Sequence, residues 1–74
     1  MSYIRMQKRA DEIVGSLQSE GYTILSDVKT TYDTRYTRFV LLRNNFNKNV
    51  MRVRCVRSII ELIKNGRIIK TESF

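Results

Sequence analysis

The chain has 74 residues, 42% hydrophobic and 28% charged, with 14 Lys and Arg against 7 Asp and Glu for a net charge of +7. This composition is globular rather than disordered, and the length allows one domain, residues 1–74, near the lower limit for a self-sufficient core. No covalent or metal staple is on offer, because a single Cys has no disulfide partner within the chain and the absence of His removes a zinc site.

The remaining class-level expectations follow from the same inventory. A lone thiol suits a reducing cytoplasm better than secretion. The longest apolar run, Phe39-Val40-Leu41-Leu42, is far short of the roughly 20 residues needed to span a bilayer. The expectation is therefore a cytoplasmic, soluble protein without a membrane partner. A homodimer would bury more surface, and that option stays open.

In chain order, Tyr3 to Ser19 reads as a helix, with Tyr3, Met6, Ala10, Ile13, Val14 and Leu17 forming one apolar stripe. Ser2 can cap it and Gly21 can end it in a left-handed turn. The opposite face carries Arg5, Lys8, Arg9, Glu12 and Glu20, a mixture of signs that suits solvent. Tyr22 to Thr31 is rich in β-branched and aromatic residues and reads as a strand, with Tyr22, Ile24 and Val28 on one side. The polar stretch Thr30 to Thr34 turns the chain. Tyr36 to Arg43 is a second strand, with Phe39 and Leu41 on one face and Tyr36, Arg38, Val40 and Leu42 on the other.

Asn44 to Asn49 is a loop, since Asn tolerates left-handed backbone and bonds its own turn. Phe46 at its tip is either tucked under the sheet or exposed as a contact. Asn49 to Val56 alternates, with Met51, Val53 and Cys55 inward and Arg52 and Arg54 outward. A rival reading makes Val50 to Asn65 one helix. Ser58-Ile59-Ile60-Glu61 is a capping box, however, so strand followed by a helix over Ile59 to Lys64 is preferred. That helix stops at Asn65-Gly66, Arg67 to Lys70 can add a short fourth strand, and the last four residues fray. The predicted fold is α+β, in the order α-β-β-β-α, with a three-stranded antiparallel sheet packed by helices.

Charge is distributed unevenly along this scaffold. Arg35 to Arg57 is 23 residues long and holds seven basic residues with no acidic one, so the rest of the chain balances at seven against seven. Six of the seven are Arg, whose planar fork pairs with phosphate oxygens in two-pronged fashion. Like charges on adjacent strands repel, and a polyanion relieves that cost. Tyr32, Tyr36 and Phe46 interleave the charges and could stack on unpaired bases. The predicted nucleic-acid site is Arg35, Arg38, Arg43, Lys48, Arg52, Arg54 and Arg57, with Tyr36 and Phe46 as aromatic contacts. A plainer account has the same Lys and Arg keeping sheet edges soluble, with Tyr36 and Phe39 packed under helices.

Catalytic constellations are missing from the sequence. It has no His to act as a base, Cys55 faces the expected core, the carboxylates are scattered, and the three glycines are isolated. No enzyme, cofactor or metal role is expected. The element order resembles that of the double-stranded RNA-binding domain, which implies duplex RNA as a ligand. In place of that family's lysine cluster at the second helix, this chain reads Arg57-Ser58-Ile59-Ile60-Glu61-Leu62. Three-stranded sheets that enter the DNA major groove are a second shape analogy. An isoleucine-rich last helix ending in Lys-Asn-Gly also resembles small phage accessory proteins, implying an acidic site on a host protein as the alternative partner. The leading expectation is a non-enzymatic protein that binds DNA or RNA.

Overall fold

The computed structural model describes residues 2–32 and 35–74. One helix, α1 (Ser2–Ser19), precedes five strands: β1 (Tyr22–Tyr32), β2 (Arg35–Asn44), β3 (Val50–Val56), β4 (Ile59–Lys64) and β5 (Arg67–Ser73). The strands form one sheet in the order β1-β2-β3-β4-β5, every pair antiparallel. This is a meander with α1 laid across one face, so the domain has two layers.

The helix forms where the apolar spacing predicts it. Met6, Ala10, Ile13, Val14 and Leu17 are buried on one stripe, with Tyr3 partly buried beside them. They meet Tyr22, Tyr36, Val40, Leu42, Met51, Val53, Cys55, Ile60 and Leu62 from the sheet. Gly21 ends the helix at φ +99, and its N–H donates to the Gln18 carbonyl at 3.1 Å. α1 begins at Ser2 itself, so that residue lies inside the helix rather than flanking it. Thr30 to Tyr32, expected in a turn, are strand, because β1 continues through Tyr32; Asp33 and Thr34, the rest of that expected turn, lie outside the described residues.

Two predictions about the C-terminal half are corrected. Ile59 to Lys64 is a strand, not a helix, and the continuous helix from Val50 fails with it. Arg57 and Ser58 both adopt positive φ, +54 and +63, which makes a two-residue hairpin turn rather than a helix start. The following residues then alternate, Ile60 and Leu62 inward, Ile59, Glu61 and Ile63 outward, as suits an isoleucine-rich run of only six residues. Asn65-Gly66, at φ +50 and +85, is a second hairpin turn of the same kind and leads into β5. The C-terminus is paired as well: Thr71 to Ser73 belong to β5, and the Phe74 N–H donates to the Ser58 carbonyl at 2.8 Å.

A third correction concerns β1. The register skips one residue between Ile24 and Ser26, so Leu25 is bulged. Tyr22 and Ile24 face the helix, but beyond the bulge the parity flips. Asp27 takes the helix side opposite Val40, and Val28 faces away at 60% exposure.

Gly15 lies on the outer side of α1, with nothing within 4 Å of where a Cβ would sit. Gly15→Ala should therefore stabilise the fold by about 0.5–1 kcal/mol, read as a rise in thermal midpoint of about 3–6 °C. No rise would mean that the outer side of α1 is not free.

Candidate nucleic-acid interface

The helix covers one side of the sheet and leaves the other open. Cross-strand registers lay out that open face in rows. One row runs Val28, Phe39, Arg54, Glu61, Thr71, and the next runs Ser26, Leu41, Arg52, Ile63, Ile68. Arg43 follows between Thr23 and Val50 at the end of the sheet that carries the Asn loop. An open depression of about 310 Å³ sits in the middle, lined by Ser26, Phe39, Leu41, Arg52, Arg54 and Ile63. A second of about 350 Å³ adjoins it through Arg54 and continues to Arg57 and Ile59.

The structure sorts the nine predicted site residues into three groups. Arg43, Arg52 and Arg54 are exposed on the open face, and Arg35 is exposed at the start of β2 with the same parity. Lys48, in the β2–β3 loop, and Arg57, in the β3–β4 turn, are exposed at opposite ends of the sheet. Phe46 is 83% exposed, so it is not tucked under the sheet, although its ring lies over Gly21. Asn44 holds that loop: its Oδ1 accepts from the N–H groups of Phe46 at 2.8 Å and Asn47 at 3.1 Å.

Arg38 and Tyr36 leave the predicted site. They sit at the even positions of β2, which face the helix. Arg38 is 8% exposed and fully engaged, donating Nε and Nη2 to the two Asp27 carboxylate oxygens at 3.0 and 2.8 Å and Nη1 to Asp11 at 2.6 Å. Tyr36 is 3% exposed, so its ring is core, and its buried hydroxyl lies beside the Arg38 guanidinium without a well-formed hydrogen bond among the described residues. Burial pushes that phenol up, against the pull of the Arg38 cation. The side chain of Tyr32 lies outside the described residues.

Ion pairing separates the two sides electrostatically. On the helix side Arg38 joins Asp11 and Asp27, while Arg9 forks onto Glu72 with both bonds at 2.9 Å and also reaches Glu12. The open face has one carboxylate among the described residues, Glu61, already bound by Arg54 at 2.8 Å. Arg35, Arg43, Lys48, Arg52 and Arg57 form no ion pair with a described residue. Three of them, Arg35, Arg43 and Arg52, share the parity of the uncovered face, and Lys48 and Arg57 stand at its ends. Arg5 and Lys8 on α1 and Lys29, Lys64 and Arg67 on the sheet are likewise without a described ion-pair partner. Cys55 is buried on the helix side, where desolvation pushes its thiol up to about 11.

The predicted site omits one residue of this face. The plainer account packs Phe39 under a helix, yet it is 46% exposed on the open face, between Val28 and Arg54. The signal was parity. Phe39 alternates with Tyr36, Val40 and Leu42, and only one of the two sets can face a single helix.

The chain matches no protein-family model, and no curated protein or solved structure shows significant similarity to it. The resemblance to a double-stranded RNA-binding domain does not survive the fold either, because β4 occupies the place of the second helix. No helix among the described residues is long and apolar enough to cross a membrane, and none of their His, Cys, Asp and Glu side chains cluster to hold a metal ion.

Because Arg38 fixes two carboxylates, its loss should act on folding. Arg38→Ala is expected to destabilise by about 2–3 kcal/mol in urea melts. Arg38 holds the Asp27 carboxyl below the usual carboxylate range, and Arg9 does the same for Glu72. Both groups have depressed folded-state values, so their contribution is present above an unfolded value of about 4 and is lost as pH falls through the folded one. The urea midpoint should decline on acidification below about pH 5. Asp27→Asn should flatten that decline; an unchanged pH profile would remove the Arg38 pair from the account.

Proposed function

We propose that this chain binds nucleic acid through the uncovered face of its sheet and performs no chemistry on it. The observation that carries the reading is the sorting of charge: Asp11, Glu12, Asp27 and Glu72 on the helix side are taken up by Arg9 and Arg38, while Arg43 and Arg52 stand unpaired on the open face. A backbone of phosphates is the ligand that neutralises a row of arginines on one surface. Arg35 and Arg57 continue the row at one end of the sheet and Arg43 and Lys48 at the other. Arg54 is a weaker contributor, because it must share its guanidinium with Glu61. The lack of His and the burial of Cys55 support binding over catalysis.

A protein with an acidic surface is the second reading, favoured by the exposed apolar residues Val28, Phe39, Ile59 and Ile68 on or beside the same face. Arginines beside aromatic and aliphatic anchors are also the composition of protein contact sites. In that case the complex would be stoichiometric and indifferent to nuclease.

With about five phosphates engaged, log affinity should fall against log salt with a slope of about −3.5 to −4.5. Arg43→Ala combined with Arg52→Ala should weaken binding and flatten that slope by about 1.5–2 units. Arg5→Ala with Lys8→Ala, on the helix side, should leave the slope nearly unchanged. Fluorescence anisotropy of labelled oligonucleotides across salt measures all three, and a slope insensitive to Arg43 and Arg52 would sink the proposal.

A further inference from the structure

Resting on the nucleic-acid reading, we infer that the ligand is a single strand, and that Phe39 stacks on one of its unpaired bases. Phosphate contacts alone would need only cations, yet apolar side chains flank the central arginines of this face. Phe39, Leu41 and Ile63 line the 310 Å³ depression together with Arg52 and Arg54. A duplex presents phosphates on its outside and keeps the π-faces of its bases stacked away. Pressed against this surface it would desolvate charged phosphates against hydrocarbon, which is costly.

Width points the same way. Five strands at about 4.8 Å spacing make a face about 19 Å across from first to last strand, too broad for a major groove of about 12 Å. β1 and β2 alone continue past the β2–β3 pairing, which ends at Arg38↔Cys55, and form a narrower ribbon. Its described cations are only Lys29 and Arg35. The main basic row therefore has no route into a groove.

A single strand meets both demands of the face. Its phosphates can follow Arg57, Arg54, Arg52 and Arg43 along β3 and across to the end of β2. A splayed base can then lay its π-face on the Phe39 ring in the depression. Stacking of this kind is sequence-tolerant, because every base has an apolar face.

The test compares an oligothymidylate or oligouridylate of about 12 nucleotides, within the range of about 4–16 nucleotides covered by sheet-based single-strand binders, with a duplex of equal length. The single strand should bind at least about tenfold tighter at physiological salt. Phe39→Ala should weaken single-strand binding about 5-fold to 100-fold and leave duplex binding within about twofold. Phe39→Leu, which keeps the apolar volume and loses the ring, should behave like Phe39→Ala; it serves if the alanine variant folds poorly. Phe39→Trp should retain binding, and its indole, the only one in the chain, should be quenched when the oligonucleotide is added. Equal or tighter duplex binding would overturn the inference. So would single-strand binding that needs Arg43 and Arg52 yet ignores Phe39, an outcome that spares the broader nucleic-acid reading. Failure of every probe to bind, with or without a nuclease-resistant protein complex, would remove both.

Discussion

One helix cannot cover both faces of a sheet, and most of this molecule follows from that constraint. An 18-residue helix is about 27 Å long and 10–12 Å wide, enough to shield a strip across one side of five strands. Its backbone packs over β1 to β4, and it reaches β5 only through the Arg9–Glu72 ion pair. Antiparallel sheets tolerate water on the second face, and the usual sequence response is a polar surface there. This chain departs from that pattern, because its second face alternates arginines with Phe39, Leu41, Ile63 and Ile68.

The side on which an arginine falls decides its role, and the pleat decides the side. Arg38 and Arg52 are both strand arginines from the same basic segment. Arg38 lies opposite Cys55 and points to the helix, where Asp11 and Asp27 hold it; Arg52 lies opposite Leu41 and points to solvent. A shift of one residue in either strand would exchange these environments. The bulge at Leu25 is part of the same arrangement. Without it Asp27 would share the open face with Phe39, and Arg38 would lose its two-pronged acceptor.

The elements of the first half are plain in the amino-acid order, apart from the bulge that flips the parity of β1, and those of the second half are not. The stripe in α1 has one reading, because polar and apolar residues separate cleanly, and in β3 the alternation outweighs a helix from Val50. β4 is ambiguous, since Ser58 to Glu61 satisfies a capping pattern and Ile59-Ile60 suits either element. The deciding facts are backbone ones: Arg57 and Ser58 at positive φ, which neither residue type advertises. Asn65-Gly66 ends helices and also makes hairpins, and the neighbouring Ile63 and Ile68, cross-strand partners in the sheet, mark the second role. The candidate site was legible as a charge segment but not as a surface. Arg38 looks like its neighbours in sequence, and the carboxylates that claim it are 27 and 11 residues away.

A meander pairs each strand with its neighbour in the chain, so every hairpin closes over a short loop. The distant contacts belong to α1: Arg38 to Asp11 across 27 residues, and Arg9 to Glu72 across 63. A helix of this length is marginal alone in water and needs an apolar surface to lie on. That surface is complete only when β1 to β4 have assembled. The two longest ion-pair closures in the fold are therefore made where the N-terminal helix docks on the sheet, and each doubling of such a loop adds only about 0.6 kcal/mol to its closure.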